Sequence, residues 1–178
     1  MKSLSREKKV NLNTVSIFGG QTPLVIACEK GHIEIVKLLL NDERVDVNKP
    51  TGKSRYFGSE NKIPIIVACE NWHIEIVKLL LNDERVEIDK LGQDNMTLFF
   101  TACQKGHIEI VKLLLNDDRV NVNQENENGT EPLSIACECG HVEIVKLLLN
   151  DKRIDVNHVN ENNETLLIMH VRVERLKL

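Results

Sequence analysis

The chain is patterned by a recurring block in which apolar residues crowd together and then stop abruptly. Ile33, Ile35, Val36, Leu38, Leu39 and Leu40 fill six of the eight positions from Ile33 to Leu40, and the polar run Asn41-Asp42-Glu43-Arg44 ends them. The block HIEIVKLLLNDERV starts at His32 and again at His73, and close variants start at His107 and His141, at intervals of 41, 34 and 34 residues. So many apolar positions cover more than one helical face. Each such helix must therefore be buried on several sides, by a partner helix and by neighbouring copies of itself. Upstream of each block a shorter apolar stretch carries a fixed dipeptide: Ala27-Cys28, Ala68-Cys69, Ala102-Cys103 and Ala136-Cys137. Thr22-Pro23 opens the first of these stretches with a side chain suited to free amides and a ring suited to the first helical position. Gly31 closes it, because glycine takes the left-handed backbone of a helix terminus without steric penalty. The pattern predicts two short helices per unit, followed by an extended arm such as Val45-Asp46-Val47-Asn48. A partial unit, Val10-Asn11-Leu12-Asn13, precedes the first copy, and another starts at Thr165.

The run Thr22-Pro23-Leu24-Val25-Ile26-Ala27, then Gly31-His32, then Asp46-Val47-Asn48, resembles the ankyrin repeat family, and the likeness extends from Val10 onward. The resemblance implies an all-α solenoid of stacked helix-turn-helix units with β-hairpin fingers along one edge. It implies no catalysis and no cofactor, and a protein partner held by the finger tips and the first-helix face. The units are expected at 20–60, 61–94, 95–128 and 129–163, with a tail and partial finger at 1–19 and a partial repeat or cap at 164–178. Asn48 and Asn157 fall at the asparagine that dioxygenases hydroxylate in some ankyrin proteins. The alternative reading is a targeting or regulatory segment of a larger protein whose enzyme or channel lies elsewhere.

Departures from the internal consensus mark the candidate contact residues. Trp72 stands where the other units have Gly31, Gly106 and Gly140, a place where a side chain is strained. It reads either as a locally altered turn with its indole on the surface or as an anchor for a partner. The 41-residue interval holds about seven inserted residues within 49–60, including Lys53, Arg55, Tyr56 and Phe57. This is either a tolerated surface insertion or a contact loop rich in interface residue types. Phe100, at a family histidine position on the first helix, joins the list. The missing glycine after the second helix makes Asn41 the expected left-handed cap.

Charge and composition then narrow the partner. The net charge is −4 and aromatic residues are 3% of the chain, which argues against nucleic acid and against aromatic ligand cages. Formal charges run +3 over residues 48–62, −1 over 89–96, −3 over 123–131 and −2 over 157–165. The finger edge is either polarised to orient a partner, with Glu125 and Glu127 at its acidic end, or its loops have simply drifted. No apolar run approaches the roughly 18–20 residues of a membrane span, so no membrane insertion is expected. Five cysteines without an export signal point to a reducing cytoplasm or nucleus. One cysteine per unit reads as core packing, and the ladder His32, His73, His107 and His141 as caps on the second helix of each unit. No nucleophile–base or metal-ligand pattern and no small-molecule site is expected.

Overall fold

The computed structural model describes residues 11–16, 20–52 and 61–156. Eight α-helices lie among them, in pairs: α1 (Pro23–Lys30) with α2 (Ile33–Leu40), α3 (Pro64–Glu70) with α4 (Ile74–Leu81), α5 (Leu98–Lys105) with α6 (Ile108–Leu115), and α7 (Pro132–Glu138) with α8 (Val142–Leu149). The first helices α1, α3, α5 and α7 stack in one row and the second helices α2, α4, α6 and α8 in another. No strand is assigned among the described residues. The fingers are turns tied by short backbone bonds: the Thr51 amide donates to the Lys62 carbonyl at 2.9 Å, and that of Asn126 to Thr130 at 3.0 Å.

Local chemistry sets the helix ends. The hydroxyl oxygens of Thr22 and Thr97 accept from the amides of Val25 and Phe100, at 3.2 and 3.1 Å. Gly31 and Gly106 adopt left-handed backbones at φ 73° and 76°. Asn41 does not take the left-handed cap: it is right-handed at φ −69°, its amide donating to the Lys37 carbonyl at 3.1 Å. What turns the chain instead is the next residue. The Asp42 carboxylate accepts from both the backbone amide and the side chain of Arg44, at 3.0 and 2.9 Å, and the Arg44 guanidinium holds the Asp42 carboxyl down to about 2. The same staple recurs at Asp83–Arg85, Asp117–Arg119 and Asp151–Arg153.

Packing depends on neighbours rather than on the helix sequence. The octapeptide IEIVKLLL forms α2, α4 and α6 alike. Its second isoleucine is fully buried as Ile76 and Ile110 but 47% exposed as Ile35, whose neighbour Leu38 is 71% exposed. Burying such a side chain completely is worth roughly 1.5–3 kcal/mol, so an outer helix draws much of its stability from the units beside it. Cys28, Cys69, Cys103 and Cys137 are free and buried in the first-helix row, and burial pushes the Cys28 and Cys69 thiols up to about 12. They act there as small hydrophobes. Cys139, by contrast, is exposed.

Candidate functional site

Three sets of polar ties hold one unit to the next, and they shape the surfaces a partner could meet. The first is a row of asparagines along the arms. Asn48 donates its side-chain amide to the Arg85 carbonyl at 2.6 Å, and its oxygen accepts from the Glu87 amide at 2.9 Å. Asn13 does the same to Arg44 and Asp46, and Asn123 to Arg153 and Asp155. The second is an arginine clasp. Arg85, Arg119 and Arg153 each reach back to the last carbonyls of the preceding outer helix, at Leu40, Leu81 and Leu115. These carbonyls lack partners inside their own helix, so a guanidinium that supplies one also ties two units together.

The third set corrects the role expected of the histidines. None of His32, His73, His107 and His141 caps its own helix through its side chain. Instead His73 and His141 lie across the joint, each donating from Nε2 to a carbonyl of the preceding unit, Glu29 at 3.2 Å and Gln104 at 3.0 Å. They rest on glycine. A Cβ added at Gly31 or Gly106 would stand 2.7 Å from the ring of His73 or His141. Those two glycines are therefore fixed twice over, by positive φ and by contact.

Trp72 breaks that arrangement. It keeps the left-handed backbone, at φ 58°, and the turn it belongs to survives, with the His73 amide donating to Ala68 at 2.9 Å. Its side chain occupies the resting place of the next histidine. The indole is 62% exposed and lies parallel to the His107 ring, with centroids 5.8 Å apart. His107 Nε2 is buried without a hydrogen-bond partner. Burial pushes the His107 pKa down, only partly offset by the Cys69 carbonyl, which already accepts from the Trp72 amide at 2.9 Å. Trp72 opens onto a surface cleft of about 670 Å³ between the outer helices, lined by Ile33, Ile74, Lys78, Glu109 and Leu113 among others.

The other candidate residues fall differently. Phe100 is 1% exposed, so it cannot serve as a contact on the first-helix face. The apolar residues Val25, Ile66 and Phe100 that replace the family histidine are buried where they stand, and Ser134 is buried with them. Glu127 is exposed on its finger, its amide donating to the Asp94 carbonyl at 3.1 Å, and Glu125 is half-buried. Lys53, Arg55, Tyr56 and Phe57 lie outside the described residues, as does Asn157. Asn48 is 8% exposed, with its amide committed to the joint.

The first-helix face carries its own cleft, of about 290 Å³, lined by Gln21, Glu29, Lys62, Val67, Glu70, Asn71 and Lys105. Lys62 pairs with Glu70 there at 2.8 Å, and Lys105 stands exposed. Among the described residues, no cluster of His, Cys, Asp and Glu could hold a metal ion, and no helix is long and apolar enough to cross a membrane. The family model described as ankyrin repeats (3 copies) matches residues 1–91 and 65–160.

Proposed function

The chain belongs to the ankyrin-repeat family, whose repeats are generally protein–protein interaction modules and typically non-catalytic, and on that premise we propose that it is a scaffold holding a protein partner along its finger tips and first-helix face. The observation that supports this reading most is the cleft between Gln21 and Lys105. It presents Glu29, Lys62, Glu70 and Lys105 together beside fingers that backbone bonds tie to one another. The Gly52 amide donates to the Gly20 carbonyl at 2.7 Å and that of Glu127 to Asp94 at 3.1 Å, so at these described residues the fingers are tied before a partner arrives and less ordering is needed to bind it. Mixed charge in such a groove selects orientation more than it adds affinity.

The test is affinity capture from a native extract with three proteins whose folding is first matched by circular dichroism. They are the wild type, Arg55→Ala/Tyr56→Ala/Phe57→Ala, and Glu125→Lys/Glu127→Lys. A protein retained by the wild type and lost from either variant supports the finger row as the contact. Equal retention by all three moves the contact away from the fingers.

A further inference from the structure

The three inter-unit ties repeat at each joint, so each joint can be compared with its siblings. Between the first and second units all three are made. His73 donates to Glu29 at 3.2 Å, Arg85 to Leu40 at 2.7 Å, and Asn48 to Arg85 at 2.6 Å. Between the third and fourth they are made again: His141 to Gln104 at 3.0 Å, Arg153 to Leu115 at 2.7 Å, and Asn123 to Arg153 at 2.7 Å. Between the second and third units two of these bonds are missing. His107 Nε2 is buried with no hydrogen-bond partner, and its ring stacks on the Trp72 indole instead. The Arg119 clasp on Leu81 is kept, at 3.1 Å. The arm residue is Asp89, which accepts twice from the Asn121 amide, at 3.1 and 3.0 Å, but has no donor for the Arg119 carbonyl.

The two losses sit at the helix tip and at the arm. They do not reach its inner side. There α3 and α5 pack through buried apolar residues, and α5 contributes Leu98, Phe99, Phe100 and Cys103, each at most 1% exposed. The inner side of the joint is thus intact, while the outer side keeps the Arg119 clasp and the Asp89 acceptor but lacks the histidine bond and the arm donor found at its siblings.

We propose that the joint between the second and third units is a built-in hinge, at which the outer helices α4 and α6 part while α3 and α5 stay packed as the axis. Opening there changes the angle between the fingers of the first two units and those of the last two. It also widens the Trp72 cleft, which α4 and α6 line together with Gly31 and Ile33 of the first unit. A partner bridging both halves would then set the curvature of the stack, by favouring whichever angle it binds better.

Hydrogen exchange on the full chain tests this, comparing the wild type with Trp72→Gly/Asp89→Asn, which restores the consensus residues at this joint. In the wild type, amides of α4 and α6 are expected to exchange through a shared partial opening. In the restored variant that exchange slows by about tenfold or more, while α1 and α2 change little. The thiols of Cys69 and Cys103 should stay closed to a maleimide on the timescale of that opening, because the inner row remains shut. The hinge is overturned if the restored variant exchanges like the wild type, or if all units slow together. It is overturned as well if Cys69 and Cys103 label as fast as α4 and α6 open, since that means the halves separate completely.

Discussion

The joint between the third and fourth units and the joint between the second and third are built from almost the same octapeptide, IEIVKLLL facing VEIVKLLL in one and a second IEIVKLLL in the other. Their apolar surfaces are equivalent: Ile110 and Ile144 are both fully buried against the preceding unit. The polar ties are not. At the third joint a glycine lets His141 lie flat and donate, and Asn123 both donates and accepts. At the second, Trp72 and Asp89 remove one bond each without touching the helices themselves. The helices of an array like this are specified by the consensus, whereas the stiffness of each joint is specified by a few residues outside the helices. Such residues can change without altering the fold, so a nearly uniform stack can have unequal joints.

The largest expected effect comes from importing the second joint's defect into the third. Gly106→Trp places a side chain at φ 76°, where a Cβ already stands 2.7 Å from the His141 ring. Left-handed strain of about 1–3 kcal/mol adds to about 1–3 kcal/mol for a buried hydrogen bond left unmade. Urea unfolding should show a loss of about 2–6 kcal/mol on those two terms. A loss below about 0.5 kcal/mol would mean that glycine is not what keeps His141 in place.

A smaller effect separates the arm residues. Asn123→Asp removes the donor to the Arg153 carbonyl and leaves the acceptor for Asp155, reproducing the state of Asp89. The expected loss is about 1 kcal/mol, and the reciprocal Asp89→Asn should gain up to about the same. Equal and negligible changes in both directions, read from urea midpoints at unchanged slope, would remove the arm from the comparison.

How much of this could be read before folding follows the same division. The apolar blocks, the Thr or Pro at the helix openings and the closing glycines lie close together in sequence, and they locate the helix pairs, the buried cysteines and the second-helix row. The ties between units connect residues some thirty to forty-five positions apart, and a single unit carries no sign of them. His73 looks like a local cap because it precedes α4, yet its partner is Glu29 on the unit before. Asn41 looks like a left-handed terminus because nothing in the sequence says that Asp42 and Arg44 will staple the turn instead. Phe100 occupies a position whose family residue is polar, and only the packed neighbours decide that a phenyl ring there is buried. A Trp in a glycine position was visible as an oddity, but its consequence falls on His107, one unit away. The regular spacing of Arg44, Arg85, Arg119 and Arg153 was the one available sign of the clasp.

The smallest effect expected is a dependence on pH confined to the weak joint. Burial holds the His107 pKa below the ordinary imidazole value in the folded chain, while the unfolded chain titrates near it. Above about pH 6.5 both states are neutral at this residue and it contributes no pH dependence. As the pH falls below that, the unfolded state takes up the proton first, so stability declines until the folded pKa is passed. The groups around His107 do not reverse this sign: burial is the largest influence, the Cys69 carbonyl and, least, Glu109 favour its charge, and Lys105 and His141 disfavour it. Replacing Trp72 by glycine should let His107 lie down on the preceding unit and donate from Nε2 as His73 and His141 do. Independently of Trp72, urea midpoints should fall more between pH 7.5 and 5.5 for the wild type than for His107→Gln, which keeps a side-chain donor but cannot titrate. An identical fall in both proteins would show that the His107 imidazole plays no part in the acid sensitivity of the joint.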